Sequence, residues 1–332
     1  MAHVLKNGPR LPGGSGTTDS CGGPARALAW YFMVSSYVNA LALRKTMLVV
    51  DPQGHVNSLL SSLVAREGWN LTEASNNQIA VSLVKKAAFD LIITGPRTSG
   101  REDLELLRKL RRIRPHTRMI ILAEKGTPDD VVASLRENVF SYFRAPFDEE
   151  LLAHMVRVAM TDRCWDDGIE VISATPKWIR LFARCTLDTA DRLIQFFRQA
   201  DLPSVEKEDV AVAAHEILLN AMEYGGHFDP NSYIEIGYLR MKRMIACRVK
   251  DPGKGFSLED LRHAAIDSSP ADLFTHMAVR EEQGLRSGGF GILLASKLVD
   301  ELIYGEHGDD VVLVKYLNPE SIRRSSAHPL PS

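Results

Sequence analysis

The sequence predicts an α/β protein made of two successive domains, and three observations carry that prediction. From Thr46 to residue 160, short β-rich runs alternate five times with amphipathic stretches. A polar segment containing "TDRCWDDG" (161–168) then breaks the pattern. Beyond it the order changes to apolar helices interleaved with paired strands. A chain of 332 residues is long enough for two ordinary cores, and 45% apolar with 25% charged residues is the usage of a soluble globular protein.

In the first domain, strands are expected at "TMLVV" (46–50), "NLTEA" (70–74), "LIIT" (91–94), "RMIIL" (118–122) and "SYF" (141–143). Amphipathic helices are expected at about 55–66, 77–87, 102–112, 128–137 and 148–160. Five strand–helix units in so short a span imply a parallel sheet covered on both faces, doubly wound and flavodoxin-like. Ligands of such sheets sit at the carboxyl ends of the strands. Here those ends offer Asp51 followed by Pro52, Gly95, Ala123, and Ala145 ahead of Pro146. A glycine and two alanines bring no chemistry, and Asp51 alone reads as a turn or helix-cap residue.

After a linker spanning 161–174, the second domain occupies 175–318. "WIRLFARCTL" (178–187) reads as an edge strand, and 188–202 as an amphipathic helix with Asp188 as its N-cap. A long helix over 206–226 ends in Gly225-Gly226, placed as C-cap glycines. Two β-rich runs follow at 233–240 and 243–250, then a polar segment at 257–287. An apolar helix over 288–302 and a strand over 310–317 close the domain, and 319–332 is a tail.

Three pieces of this domain carry chemistry. Glu216 and Asn220 are four residues apart and so share one helix face, although their neighbours Ile217, Leu218, Leu219, Ala221 and Met222 ask to be buried. Asp251, with Gly253 and Gly255, follows a strand, where glycines let backbone approach a ligand closely. Gly288, Gly289 and Gly291 open an apolar helix whose free N–H groups suit an anion. Each alone is a weak signal. Together, an acid able to orient a hydroxyl, a hard oxygen ligand for Mg²⁺ and a phosphate cradle make a phosphoryl-transfer site.

The totals exclude other classes. A net charge of −2 argues against a nucleic-acid binder that works by bulk charge, and the basic run at 108–118 reads as a solvated helix end. Cys21, Cys164, Cys185 and Cys247 form no metal-ligand spacing, which speaks for a reducing, cytoplasmic setting. Residues 1–45 form a Gly/Pro-rich tail with an uncharged stretch at 27–43 that is short for a membrane span, so a tail or packing helix is expected instead.

Two resemblances sharpen this. Across 46–160, "MLVVDPQG", "FDLIITGPRTSG", "MIILAEKG" and "SYFRAPFD" resemble the strands and loops of a response-regulator receiver domain. The resemblance implies that Pro52 stands for a second acid, Gly95 for the phosphorylated aspartate, Ala123 for a Ser/Thr and Ala145 for a lysine. This is a pseudo-receiver kept as an interaction or homodimerisation surface. Across 175–318, the order of Glu216 and Asn220, then Asp251-x-Gly253-x-Gly255, then Gly289-x-Gly291 resembles the GHKL ATPase fold, an α/β sandwich, and most of all its anti-sigma-factor serine kinase branch. That implies Glu216 as general base, Asn220 as Mg²⁺ ligand, Asp251 on the adenine amino group, the glycines (Gly288 among them) near ATP, and 257–287 as the lid. The implied partner is an anti-sigma antagonist or sigma-factor-like regulatory protein. Three readings stay open: a serine/threonine kinase, a non-catalytic ATP-dependent binding module, and a histidine-kinase-like signalling protein. The last lacks an acceptor on both sides.

Overall fold

The computed structural model describes residues 45–96, 100–161, 168–199, 204–255 and 291–318. These fall in one compact unit, 45–332. The apolar stretch at 27–43, Cys21, Cys164, the lid at 257–287, Gly288 and Gly289 lie outside the described residues.

The first sheet is parallel and five-stranded: β1 (Thr46–Val50), β2 (Asn70–Ala74), β3 (Leu91–Thr94), β4 (Met119–Ala123) and β5 (Ser141–Arg144), in the order β2-β1-β3-β4-β5. Its helices are α1 (His55–Glu67), α2 (Asn77–Lys86), α3 (Gly100–Ile113), α4 (Pro128–Arg136) and α5 (Glu149–Thr161). Apart from the edge strand β2, the strands are buried on both faces. Met47 and Val49 pack with Val56, Leu60, Met155 and Val156 of α1 and α5, while Leu48 and Val50 pack toward α2, α3 and α4. Local chemistry starts these helices where the sequence says it should: Asn76 accepts from the Ile79 amide at 2.9 Å, and Thr127 forms a reciprocal box with Asp130 ahead of Pro128.

The second sheet is antiparallel and six-stranded: β6 (Ile169–Thr175), β7 (Trp178–Arg184), β8 (Tyr233–Arg240), β9 (Met244–Lys250), β10 (Glu301–Tyr304) and β11 (Asp310–Tyr316), in the order β10-β11-β9-β8-β7-β6. Helices α6 (Leu187–Arg198), α7 (Ser204–Asn220) and α8 (Gly291–Leu298) pack with the buried side, where Ile179, Leu181, Ile236, Cys247, Val249 and Leu313 form the core. Residues of opposite phase pair across strands instead: Arg180 Nε meets Glu235 Oε1 at 2.7 Å, and Arg248 Nε meets Asp310 Oδ1 at 2.9 Å.

Several expectations are corrected. The linker expected over 161–174 is shorter: from Ile169 to Thr175 the chain forms the edge strand β6, so β7 is an interior strand. The helix expected over 288–302 stops at Leu298 within the described residues, and Glu301–Tyr304 turns back as β10. Thr186, not Asp188, caps α6: its hydroxyl accepts from the Thr189 amide at 3.3 Å, leaving Asp188 in the first turn. The basic run at 108–118 is not simply solvated. Arg108 pairs with Glu137, Arg111 donates to the Asn138 carbonyl at 2.9 Å, and buried Arg118 donates to the Ala159 carbonyl at 2.8 Å.

The largest departure concerns α6. Its polar stripe docks on the first sheet's edge strand rather than facing water. Arg192 Nε donates to the Phe140 carbonyl at 3.1 Å, with its guanidinium 4.2 Å from the Phe140 ring centre, and Gln195 Nε2 donates to the Tyr142 carbonyl at 3.1 Å. Only 4% of Arg192 and 1% of Gln195 remain exposed, so both are core residues. Beside them Val131, Val132 and Leu135 of α4 line an apolar crevice with Ile179, Leu181 and Phe197, and one continuous core joins the two sheets. Truncating Arg192 removes a packed cation and leaves a buried carbonyl short of its donor. Arg192→Ala should lower stability by about 1–3 kcal/mol, seen as a lower urea midpoint with an unchanged slope.

Candidate functional site

Helix α7 carries Glu216 and Asn220 in its last turns, both partly exposed at the rim of a core made by Ile217, Leu218 and Leu219. The helix does not end in a left-handed glycine cap as expected. It widens into a π-helical turn, Ala221–Gly225, closed by Gly226 N–H to the Ala221 carbonyl (3.0 Å) and Phe228 N–H to the Met222 carbonyl (2.8 Å). The left-handed positions fall instead on His227 (φ 52°) and Phe228 (φ 48°).

Gly225 and Gly226 are small for a different reason. A Cβ at Gly225 would overlap the Asp251 carboxylate, and one at Gly226 would overlap the Cys185 thiol. The loop after β9 is thereby pressed onto the π turn. Asp251 is held there by its own amide, which donates to the Asp309 carbonyl at 2.9 Å, and by its Oδ1, which accepts from Gly253 N–H at 2.8 Å. A Cβ at Gly253 would lie 2.8 Å from both Asp251 Oδ1 and Gly225 Cα. Gly255 is left-handed (φ 71°) and abuts the His307 carbonyl, so what its lack of a side chain admits is the β10–β11 turn.

The third piece closes from the side. A Cβ at Gly291, the first residue of α8, would overlap Glu216 Oε2 and lie 3.5 Å from Asn220 Nδ2. The backbone at the start of α8 therefore sits directly against the Glu216–Asn220 pair, while Asp251 sits at the tip of the same helix. Two segments, the Asp251 loop and the start of α8 at Gly291, thus converge on residues 216–225. Burial pushes the Asp251 carboxyl above its ordinary range; the Gly253 N–H opposes that, and Asp309 adds to it. An acid that is costly to ionise yet kept at a loop tip is suited to accepting a ligand's N–H. Among the described residues no cluster of three His, Cys, Asp or Glu forms a metal site, so a cation here would draw on Asn220 and on ligand oxygens. An amide side chain that can offer a hard oxygen, next to the first residue of a helix, is a donor set compatible with a Mg²⁺-bound phosphate group.

The carboxyl end of the first sheet is built differently. Asp51 Oδ1 accepts from Gln53 N–H at 3.0 Å and Oδ2 from Val56 N–H at 2.8 Å, so the carboxylate caps the start of α1, as expected of a turn residue. A Cβ at Gly95 would lie 2.8 Å from Asp51 Cγ. The space that an acceptor aspartate would fill is taken. Ala123 is fully buried and Ala145 leads into Pro146, so neither supplies a polar group.

Comparison with known proteins agrees with this division. The family described as Histidine kinase-like ATPase domain matches residues 185–315, and the family described as Response regulator receiver domain matches 47–157. The transcriptional regulatory protein GlrR of Escherichia coli is 24% identical over 147 residues, 42% of this chain and 33% of that protein. Sporulation initiation phosphotransferase F of Bacillus subtilis is 26% identical over 115 residues, 35% of this chain and 93% of that protein. The serine-protein kinase RsbW of Listeria monocytogenes is 26% identical over 120 residues, 36% of this chain and 71% of that protein. The match thus spans about a third of the length of GlrR.

Two outcomes test these assignments. Gly95→Asp should not restore a phosphorylation site. Overpacking against Asp51 should destabilise the chain by about 1–3 kcal/mol, and neither parent nor variant should take up label from acetyl phosphate. Asp251→Asn should act in opposite senses on stability and binding. A raised folded pKa means that Asp251 favours folding only below the unfolded carboxylate pKa, and that this is lost as pH rises through the folded value. At neutral pH the unliganded variant should therefore melt higher, while calorimetry should show its Mg-ATP affinity greatly reduced. The chain joins a response regulator receiver domain to a histidine kinase-like ATPase domain.

Proposed function

We propose that the chain is an ATP-dependent serine/threonine protein kinase of the anti-sigma type, acting on a hydroxyl of a small regulatory protein in the cytoplasm. The observation that carries this reading is the seating of Gly291, at the start of α8, against Glu216 and Asn220, an acid and an amide on one face of α7. The similarity of the ATPase part to a serine-protein kinase supports it. Mg-ATP, when bound, supplies the transferable phosphoryl group.

The residues divide the remaining work. Asp251 accepts from the adenine amino group and so selects the base. Asn220 offers its oxygen to Mg²⁺, and the backbone at Gly291 faces the phosphates. Glu216 draws the proton from the attacking hydroxyl. A receiver without a phosphate acceptor serves as a protein-binding surface and takes no part in phosphorelay.

Glu216→Gln keeps the reach of the side chain and removes its basicity. Calorimetry should find its Mg-ATP affinity close to that of the parent, while transfer of labelled phosphate to the co-purifying partner falls by about 10²–10⁴-fold. Asn220→Ala should lose Mg²⁺-dependent affinity as well as rate. If the parent never labels its partner, and partner release on ATP is the same in Glu216→Gln, the chain is an ATP-gated binding module and not a kinase.

A further inference from the structure

Three helices meet at one carboxylate. Asp191 of α6 places Oδ2 2.8 Å from Nε2 of His154 on α5, and Oδ1 3.4 Å from Nε2 of His215 on α7. His154 belongs to the receiver, and His215 immediately precedes Glu216. Burial alone would push the Asp191 carboxyl up, but hydrogen bonds to His215 and His154 outweigh it and hold the group below its ordinary range. It is therefore ionised at neutral pH and can accept from both rings at once.

The bridge is mounted on a helix that cannot turn. Asp191, Arg192, Gln195 and Gln199 lie on one side of α6 by their i, i+3/i+4 spacing. Arg192 and Gln195 fix that side to the Phe140 and Tyr142 carbonyls, and Gln199 Oε1 accepts from Arg144 Nε at 3.3 Å. Rotation of α6 by one residue would break all three contacts. So the receiver's edge strand, through α6, and α5, through His154, together set Asp191; Asp191 meets His215, and His215 shares its turn of α7 with Glu216.

We propose that Asp191 is a positioning residue that transmits the placement of the receiver domain to Glu216 through the His154–Asp191–His215 bridge. A receiver unable to be phosphorylated is then a buttress for the nucleotide site, and a protein that binds it and displaces α5 acts on that site mechanically. The inference rests on the reading of Glu216 as the base.

The test uses the full chain and a readout independent of turnover. In His154→Ala, backbone amide hydrogen exchange across 215–220 should rise by about threefold to tenfold, while Mg-ATP affinity measured by calorimetry stays within about twofold of the parent. His154→Gln, which restores an N–H donor at the same reach, should return exchange toward the parent rate. Asp191→Asn should raise exchange as His154→Ala does, and any phosphotransfer should fall in kcat with KM for ATP little changed. Parent-like exchange in both His154→Ala and Asp191→Asn would overturn the proposal. So would equal loosening in His154→Ala and His154→Gln, which would mean packing, not the hydrogen bond, is what matters. If the parent binds no nucleotide, the kinase reading fails on its own, and the exchange rates still decide the coupling.

Discussion

The structure depends on a helix that buries its polar side. A helix with Asp191, Arg192, Gln195 and Gln199 on one stripe would ordinarily turn it to water, leaving each group hydrated. In α6 the middle of the stripe, Arg192 and Gln195, is enclosed, and every buried donor must then find an acceptor or cost a few kcal/mol. The acceptors are carbonyls at the edge of the other sheet. This requirement fixes the rotation of α6, and with it the angle at which the two sheets meet. α6 also packs against α7, so the helix that carries Glu216 and Asn220 meets a neighbour that is itself docked on the other sheet. Apolar packing of α4 against β7 supplies the cohesion, and the polar stripe supplies the choice of one geometry.

The receiver has exchanged chemistry for shape. In a phosphate-accepting pocket, carboxylates must be kept close together and solvated against their mutual repulsion. Here Asp51 spends one oxygen on the Gln53 amide of the turn and the other on the Val56 amide of α1, and the backbone of Gly95 closes over it. What was gained is rigidity at the carboxyl end of the sheet. The ATPase part shows the reverse. Its Asp251 is held by one backbone N–H in a half-buried loop, at a cost in ionisation that a ligand's donor would relieve. One acid has been retired into a cap and the other kept poised.

How far the sequence revealed this depends on what each residue faces. The first sheet was legible almost to the residue because fully buried parallel strands are continuous apolar runs, and because Thr127-Pro128 and Asn76 mark helix starts with their own side chains. Strand β6 was not: it is an edge, it leaves Ile172 exposed, and its register shifts between Val171 and Ser173, so its alternation is blurred. Strand β10 has four residues and no turn signal ahead of it. Asp188 outcompeted Thr186 as a cap on paper because both are capping residues two positions apart. The stripe on α6 was invisible as an interface because polarity does not say whether the neighbour is water or another sheet. At the site, the four-residue spacing of Glu216 and Asn220 was readable, since it holds on any α-helix. The role of Gly225 was not, since a glycine that ends a helix and a glycine that makes room for Asp251 look the same in sequence.

The stripe on α6 also bears on how such a chain can evolve. Its two halves resemble modules that elsewhere travel separately, and the linker between them looks like a place to cut and rejoin. The residues that hold them together, however, are divided between the halves, with Arg192 and Gln195 on one and Phe140, Tyr142 and His154 on the other. A recombination event that swapped either half would strand buried donors against an unmatched edge. The pair is therefore inherited as a single unit, and change in one half is filtered by the other.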